Sequence, residues 1–106
     1  MSVSAKTTYV AVDYSNGDKY YGETRDGNIK YGQGVLSLAD GSKYEGMFTN
    51  DTMHGQGTMF YSNGMIYKGQ WVEGKRDGYG ELTWPNGKKF TGPFVNDNVF
   101  GEGTFF

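Results

Sequence analysis

The chain of 106 residues contains no cysteine, only two prolines and a single histidine, His54. Without cysteine it has no disulfide framework, no thiolate metal site and no cysteine nucleophile. One histidine also excludes a histidine-rich metal site, and the scarce prolines, with glycine not at every third position, exclude collagen. No apolar run approaches the roughly 18 residues that a membrane-spanning helix requires.

Charge of either sign is modest, with ten Lys and Arg against twelve Asp and Glu, for a net charge of −2. A nucleic-acid-binding domain normally carries a basic stripe, so we expect no nucleic-acid partner. The first twelve residues contain one lysine and no continuous apolar core, unlike a secretory signal peptide. These features predict a soluble, cytoplasmic protein.

Glycine and aromatic residues are abundant instead, with 18 glycines, nine Tyr, seven Phe and two Trp. Self-similarity is therefore the first thing to test. An Asn or Asp followed by Gly recurs at Asn16-Gly17, Asp40-Gly41, Asn63-Gly64 and Asn86-Gly87. An aromatic residue follows three positions after each of these glycines, at Tyr20, Tyr44, Tyr67 and Phe90. Another glycine follows two positions later, and a Gly-x-Gly pair closes each unit. The period is 23 residues, with one extra residue in the first unit.

The residue pattern of one unit predicts a β-hairpin. Residues 43–48 largely alternate between polar and apolar, which is the period of a half-buried strand. A short turn at Asn50-Asp51 leads into a return strand over residues 55–61, and Asn63-Gly64 is a strong turn signal because both residues tolerate positive φ. No segment shows helical periodicity over ten or more residues, so the sequence predicts an all-β fold.

The presence of glycine in the middle of strands requires an explanation, because glycine weakens a strand unless another group approaches its backbone closely. The large rings supply that reason, since a glycine on the neighbouring strand opens a slot in which a ring lies flat. An isolated hairpin is marginally stable in water, so stability has to come from stacked neighbours. We therefore predict an elongated, single-layer array of antiparallel hairpins that curls into a groove.

The repeated residues resemble a known family. Residues 44–48 (YEGMF) and 54–59 (HGQGTM) resemble the MORN repeat (membrane occupation and recognition nexus), with its pattern Tyr-x-Gly-x-Trp/Phe, a turn, then His-Gly-x-Gly-x-Leu. The third unit resembles it closely too, and the fourth keeps both glycine motifs. The first unit departs most, with Thr24 where an aromatic residue is expected. The resemblance covers about residues 16–106.

This periodicity predicts two segments. Residues 1–15 are expected to be an N-terminal segment containing a partial repeat strand, and residues 16–106 a repeat array. Four units begin near residues 16, 40, 63 and 86, the last of them truncated. Because open sheet edges invite pairing with other chains, edge-to-edge self-association is one predicted interaction.

No combination of residues indicates catalysis. His54 is the only imidazole, and its place before a Gly-x-Gly strand predicts a structural role. Glu73 and Asp77 flank a turn and are expected to face solvent. The Gly-x-Gly pairs lack the third glycine and the following helix of a dinucleotide-binding loop. We therefore expect no enzyme activity, no cofactor and no metal.

The aromatic residues predict a binding groove. About nine strands at ~4.8 Å spacing give a thin array roughly 40 Å long, which offers too little interior for every ring. A contiguous exposed apolar surface usually marks an interaction site, and an amphipathic helix is the expected occupant. The resemblance implies a non-catalytic scaffold or adaptor that binds proteins in a cytoskeletal, ciliary or membrane-contact assembly. The candidate groove residues are Tyr44, Phe48, Tyr61, Tyr67, Trp71, Trp84 and Phe94.

Two alternatives remain open. The resemblance also implies phosphoinositide binding, for which basic residues of the later units are the candidates. Anionic lipid recognition usually needs a cluster of basic residues, and here acidic residues interleave with them. These candidates are Lys68, Lys75, Arg76, Lys88 and Lys89. The second alternative is a regulatory fragment of a larger enzyme, as arrays in this family often are.

Overall fold

The chain forms one antiparallel sheet of ten strands, as a computed structural model that describes residues 8–106 shows. The strands are β1 (Thr8–Asp13), β2 (Lys19–Arg25), β3 (Ile29–Ser37), β4 (Lys43–Thr49), β5 (Thr52–Phe60), β6 (Ile66–Val72), β7 (Lys75–Thr83), β8 (Lys89–Val95), β9 (Asn98–Val99) and β10 (Thr104–Phe105). Strands β1 to β8 lie side by side in chain order, and both β9 and β10 pair with β8. The described part of the chain measures 49 × 33 × 19 Å and contains no helix. The predicted array of antiparallel hairpins is confirmed.

The tight turn within each hairpin places its central residues at positive φ. Asn50 and Asp51 have φ of 48° and 71°, and the pairs Glu73-Gly74 and Asn96-Asp97 have nearly the same values. Such values are typical of the two-residue turns whose twist matches that of the flanking strands. The first hairpin has three such residues, 26–28, which accommodate its extra residue.

The Asn-Gly connections between hairpins use a different geometry. Of the pair Asn63-Gly64, only the glycine has positive φ, and its N–H donates to the Tyr61 carbonyl at 2.9 Å. The Asn63 side chain instead accepts the Met65 N–H at 3.0 Å. The other three connections, two of them Asn-Gly and one Asp-Gly, repeat both bonds. The positive φ that the sequence suggested for both residues therefore occurs only at the glycine.

A β-bulge follows the mid-strand glycine of the first three hairpins. In the second hairpin the register shifts between Gly46 and Phe48, and the carbonyl of Met47 accepts the Tyr44 hydroxyl at 2.9 Å. The equivalent bonds, from Tyr20 to Glu23 and from Tyr67 to Gln70, measure 2.6 and 3.1 Å. Each buried phenol therefore has a hydrogen-bond partner that the bulge supplies.

The aromatic rings of Tyr20, Tyr44, Tyr67 and Phe90 form a row across one face of the sheet, here called the ring row on the ring face. Each ring lies against a glycine of its own return strand. A Cβ atom added to Gly57 would overlap the ring of Tyr44, and one added to Gly80 would overlap that of Tyr67. The predicted role of these glycines as slots for rings is confirmed.

A second set of rings links the units. Phe48 contacts Tyr44 of its own unit edge to face, with ring centroids 5.1 Å apart, and Tyr20 of the preceding unit at 5.3 Å. Trp71 and Phe94 make the same two contacts in the third and fourth units. Each such pair contributes about 0.5–1.5 kcal/mol beyond its buried area. The core is thus a continuous chain of interlocked rings along the array.

Candidate protein-binding face

Five of the seven predicted groove residues are buried in the core. The exposed fractions of Tyr44, Phe48, Tyr67, Trp71 and Phe94 are between 0 and 2%. The prediction that their rings line an open groove is therefore wrong. The physical reason is the combination of glycine slots and edge-to-face contacts, which lets a single sheet bury its own rings.

Tyr61 and Trp84 are the two predicted groove residues that keep part of their surface exposed. They belong to a second row on the ring face, in which each residue lies two positions before the Asn or Asp of an Asn-Gly or Asp-Gly connection. All four members are half-buried and pack against the core. This flanking row consists of Tyr14, Leu38, Tyr61 and Trp84. The sequence pattern predicted Tyr61 and Trp84 for the binding face, but not Tyr14 and Leu38.

Two basic side chains lie beside the flanking row. The Lys30 Nζ atom lies 4.9 Å from the centre of the Tyr14 ring and donates to its hydroxyl at 3.3 Å. The Arg76 guanidinium lies 6.0 Å from the centre of the Tyr61 ring and 5.4 Å from that of Phe94. All three distances to ring centres fall within the range of cation–π attraction. Basic side chains therefore alternate with apolar ones on this face.

The two basic side chains are held by carboxylates of the following hairpin tip. Asp97 accepts the backbone N–H of Arg76 at 2.9 Å, and its Oδ1 atom lies 3.4 Å from the Arg76 Nε atom. Asp51 contacts Lys30 in the same way, at 2.7 Å from the backbone N–H and 3.6 Å from Nζ. These contacts join successive units, and they neutralise both charges.

Burial keeps the nearby phenols neutral. It raises the pKa of Tyr20 to about 12, with the carboxylate of Glu23 acting in the same direction. It also raises the pKa of Tyr67 to about 12, although the charge of Arg76 opposes the shift. The pKa values of Tyr44 and Tyr61 are raised by burial as well. These four phenols therefore stay protonated to a higher pH than an exposed tyrosine does.

The five candidate lipid-binding residues do not form one cluster. Arg76 lies on the ring face and is paired with Asp97. Lys68 and Lys89 alternate with ring-row residues and so lie on the opposite face, where the Nζ atom of Lys89 is 3.1 Å from Glu81. Lys75 begins strand β7 beside a hairpin tip, and Lys88 lies beside Trp84. The structure thus separates these charges between two faces and a hairpin tip.

His54 has a place in the repeat that explains it. Its Nδ1 atom accepts the backbone N–H of Glu73 at 3.3 Å, and Asp77 accepts that of Asn96 at the same distance one unit later. His54 therefore caps a hairpin tip, in line with its predicted structural role. In the described part of the chain no three His, Asp or Glu side chains are placed to hold a metal ion. Within residues 8–106 no helix is long and apolar enough to cross a bilayer.

Comparison with known families identifies the repeat. The MORN repeat model matches three consecutive segments, residues 26–43, 44–66 and 67–89, which together span more than half of the chain. A comparison with curated proteins gave no match. MORN repeats are commonly modules for interaction with proteins or membranes, and they are generally non-catalytic. With its 23-residue period, interlocked hairpins and matched segments, the chain belongs to the MORN-repeat family.

Proposed function

We propose that this chain is a non-catalytic scaffold or adaptor that docks a partner protein on the flanking row. The observation that carries the proposal is the partial exposure of Tyr61 and Trp84 beside a fully buried ring row. Rigid aromatic side chains that are apolar yet partly exposed are typical anchors of protein interfaces, because they bury much area at low entropic cost.

The spacing of the flanking row fits an amphipathic helix. Leu38, Tyr61 and Trp84 are separated by two strands each, which corresponds to about 9.6 Å at the usual strand spacing. Seven residues of an α-helix rise about 10.5 Å. A helix with an apolar stripe repeating every seven residues would therefore contact successive members of the row.

The charges of this face favour a protein over a lipid surface. Lys30 and Arg76 are each paired with a carboxylate, so neither is available as an unpaired cation for a phosphate headgroup. Sedimentation with vesicles of neutral lipid, with and without phosphoinositide, tests the lipid alternative. Pelleting that depends on the anionic lipid would favour that alternative over protein docking.

The test is quantitative capture of cellular proteins by matched variants. Tyr61→Ala and Trp84→Ala should each lose the same partner, identified by mass spectrometry. Tyr79→Ala is the control, because Tyr79 is 65% exposed but lies on the opposite face. Circular dichroism should be unchanged in all three. Equal capture by both flanking-row variants, or a loss shared by the control, would refute docking on this row.

We further propose that the protein acts in the cytoplasm, either in a cytoskeletal, ciliary or membrane-contact assembly or as a regulatory module of a larger enzyme. The partner identified by capture discriminates among these settings. Imaging of the tagged protein should show co-localisation with that partner, and the Tyr61→Ala variant should lose it.

A further inference from the structure

Three of the four connections between hairpins contain the dipeptide Asn-Gly, which is chemically reactive. The glycine backbone nitrogen loses its proton to water and attacks the Cγ atom of the asparagine side chain, whose amide nitrogen leaves as ammonia. Water then opens the succinimide ring to give aspartate or isoaspartate. Glycine favours the attack because it has no side chain and its backbone is conformationally free. The asparagines of the first, third and fourth connections are Asn16, Asn63 and Asn86, and all three are exposed.

The fold slows this reaction without blocking access to it. In the third connection the Gly64 N–H donates to the Tyr61 carbonyl at 2.9 Å, and Oδ1 of Asn63 accepts the Met65 N–H at 3.0 Å. The connection after Trp84 repeats both bonds, at 2.9 Å each. Attack requires both bonds to open, because the glycine nitrogen has to lose its proton and the side chain has to turn toward it. Since the connections lie at the surface, such opening is local and leaves the rest of the sheet folded.

The second connection already holds the product of this reaction. Asp40 stands there in place of an asparagine, and its Oδ1 accepts the Ser42 N–H at 2.8 Å. The Gly41 N–H donates to the Leu38 carbonyl at 3.0 Å. Both bonds of the Asn-Gly geometry thus persist with a carboxylate. Aspartate fits the connection, whereas isoaspartate adds an atom to the main chain and moves the glycine N–H away from its acceptor.

The residue two positions after each asparagine decides whether the new charge is accepted. In the first connection Nδ2 of Asn16 donates to the Asp18 carboxylate at 3.1 Å. Conversion there would place two carboxylates in contact, and like charges at that distance disfavour each other. The equivalent residue is Met65 in the third connection and Lys88 in the fourth. Aspartate is therefore accommodated in the third and fourth connections but not in the first.

We infer that Asn63 and Asn86 are deamidation sites of the folded chain, and that their conversion to aspartate adds charge without loss of the fold. Conversion of both neutral amides changes the net charge from −2 to −4. The two new carboxylates lie two positions after Tyr61 and Trp84, beside the flanking row. The reaction consumes one water and releases one ammonia at each site, and it requires no partner protein.

The first test follows the reaction in the whole chain, held at pH 8 and 37 °C either folded or in concentrated urea. Peptide mapping by tandem mass spectrometry measures conversion at each asparagine. Asn63 and Asn86 should convert in the folded chain, roughly ten-fold more slowly than in urea, because two hydrogen bonds have to open first. Asn50 is the control within the chain: it is exposed as well, but Asp51 follows it, so it should stay unconverted.

The second test uses variants that carry the product from the start. Asn63→Asp should unfold at the same urea midpoint as the parent. Asn16→Asp should unfold at a lower urea concentration, because its carboxylate faces that of Asp18. Asn63→Ala calibrates the assay, since it removes the acceptor of the Met65 N–H and should lower the midpoint.

Any of three results would overturn this inference. One is a folded chain that shows no conversion at Asn63 and Asn86 while the chain in urea converts. Another is conversion of Asn50 as fast as that of Asn63. The third is a loss of stability in Asn63→Asp as large as that in Asn63→Ala. Because mass spectrometry follows the reaction without a partner, failure here is distinguishable from failure of docking on the flanking row.

Discussion

The hydroxyl of Tyr44 donates a 2.9 Å hydrogen bond to the carbonyl of Met47, which lies where the register between β4 and β5 shifts. The bond lies in the middle of the array and recurs in the units before and after it. It ties the features of a unit together, because the ring lies on a glycine of β5 and its hydroxyl donates to the carbonyl at the register shift.

Tyr44→Phe should lower the free energy of unfolding by about 1 kcal/mol, since it removes the hydroxyl donor from a part-buried carbonyl. In the fourth unit, where Phe90 takes the place of this tyrosine, the Pro93 carbonyl accepts the N–H of Phe100 at 2.9 Å. Urea unfolding followed by circular dichroism measures the change. Tyr21→Phe is the control, because Tyr21 is 62% exposed and should stay within about 0.5 kcal/mol of the parent. If Tyr44→Phe were as stable as the control, the hydroxyl of Tyr44 would make no contribution to the stability of the fold.

Much of this arrangement was predictable from the sequence, because it depends on spacing alone. The 23-residue period gave the hairpins, the strand order and the pairing of rings with glycines. The exposure of the rings was not predictable, since burial by a single sheet depends on how far the edge-to-face contacts close the ring face. Arg76 shows a different failure. It shares the alternation of Gly78 and Gly80, which places it on the ring face, but its charge suggested a lipid site instead.

Asp97→Ala should lower the free energy of unfolding by about 0.5–1.5 kcal/mol, because the backbone N–H of Arg76 loses its acceptor and the guanidinium its counter-ion. Asp97→Asn keeps an oxygen at the same place and should cost less than half as much. Denaturant titrations of the two variants give the comparison. If the two substitutions cost the same, the ion pair rather than the backbone hydrogen bond would be the main contribution of Asp97.

Alkaline pH should destabilise the fold. Tyr20 and Tyr67 have a pKa of about 12 in the folded state against an ordinary value near 10, so the native state retains protons that the unfolded chain releases. The stabilisation is complete below pH 10 and declines as the pH rises from about 10 toward 12. Urea midpoints measured between pH 8 and pH 12 should fall only in the upper half of that range.

The variant that combines Tyr20→Phe with Tyr67→Phe serves as the control for the pH experiment. It lacks both phenols, so its stability should decline less steeply above pH 10, although it starts from a lower value at pH 8. A parent protein whose urea midpoint stays constant up to pH 12 would show that these hydroxyls ionise without cost in the folded state.

The central claim is that ring and glycine are complementary parts of one contact, and Tyr44 with Gly57 tests it most directly. A Cβ atom at Gly57 would overlap the Oη, Cζ and Cε1 atoms of Tyr44. Gly57 has no positive φ, so its backbone accepts alanine, and the atoms nearest to the added Cβ belong to the Tyr44 ring. A leucine at position 44 ends short of those three atoms and leaves room for the added methyl group.

The decisive measurement is a double-mutant cycle of unfolding free energies for Gly57→Ala and Tyr44→Leu. The account predicts that Gly57→Ala costs about 1–3 kcal/mol in the parent, as overpacking does, and almost nothing once Tyr44→Leu is present. The same cost of Gly57→Ala in both backgrounds would show that the glycine is needed for its backbone alone, and would contradict the account.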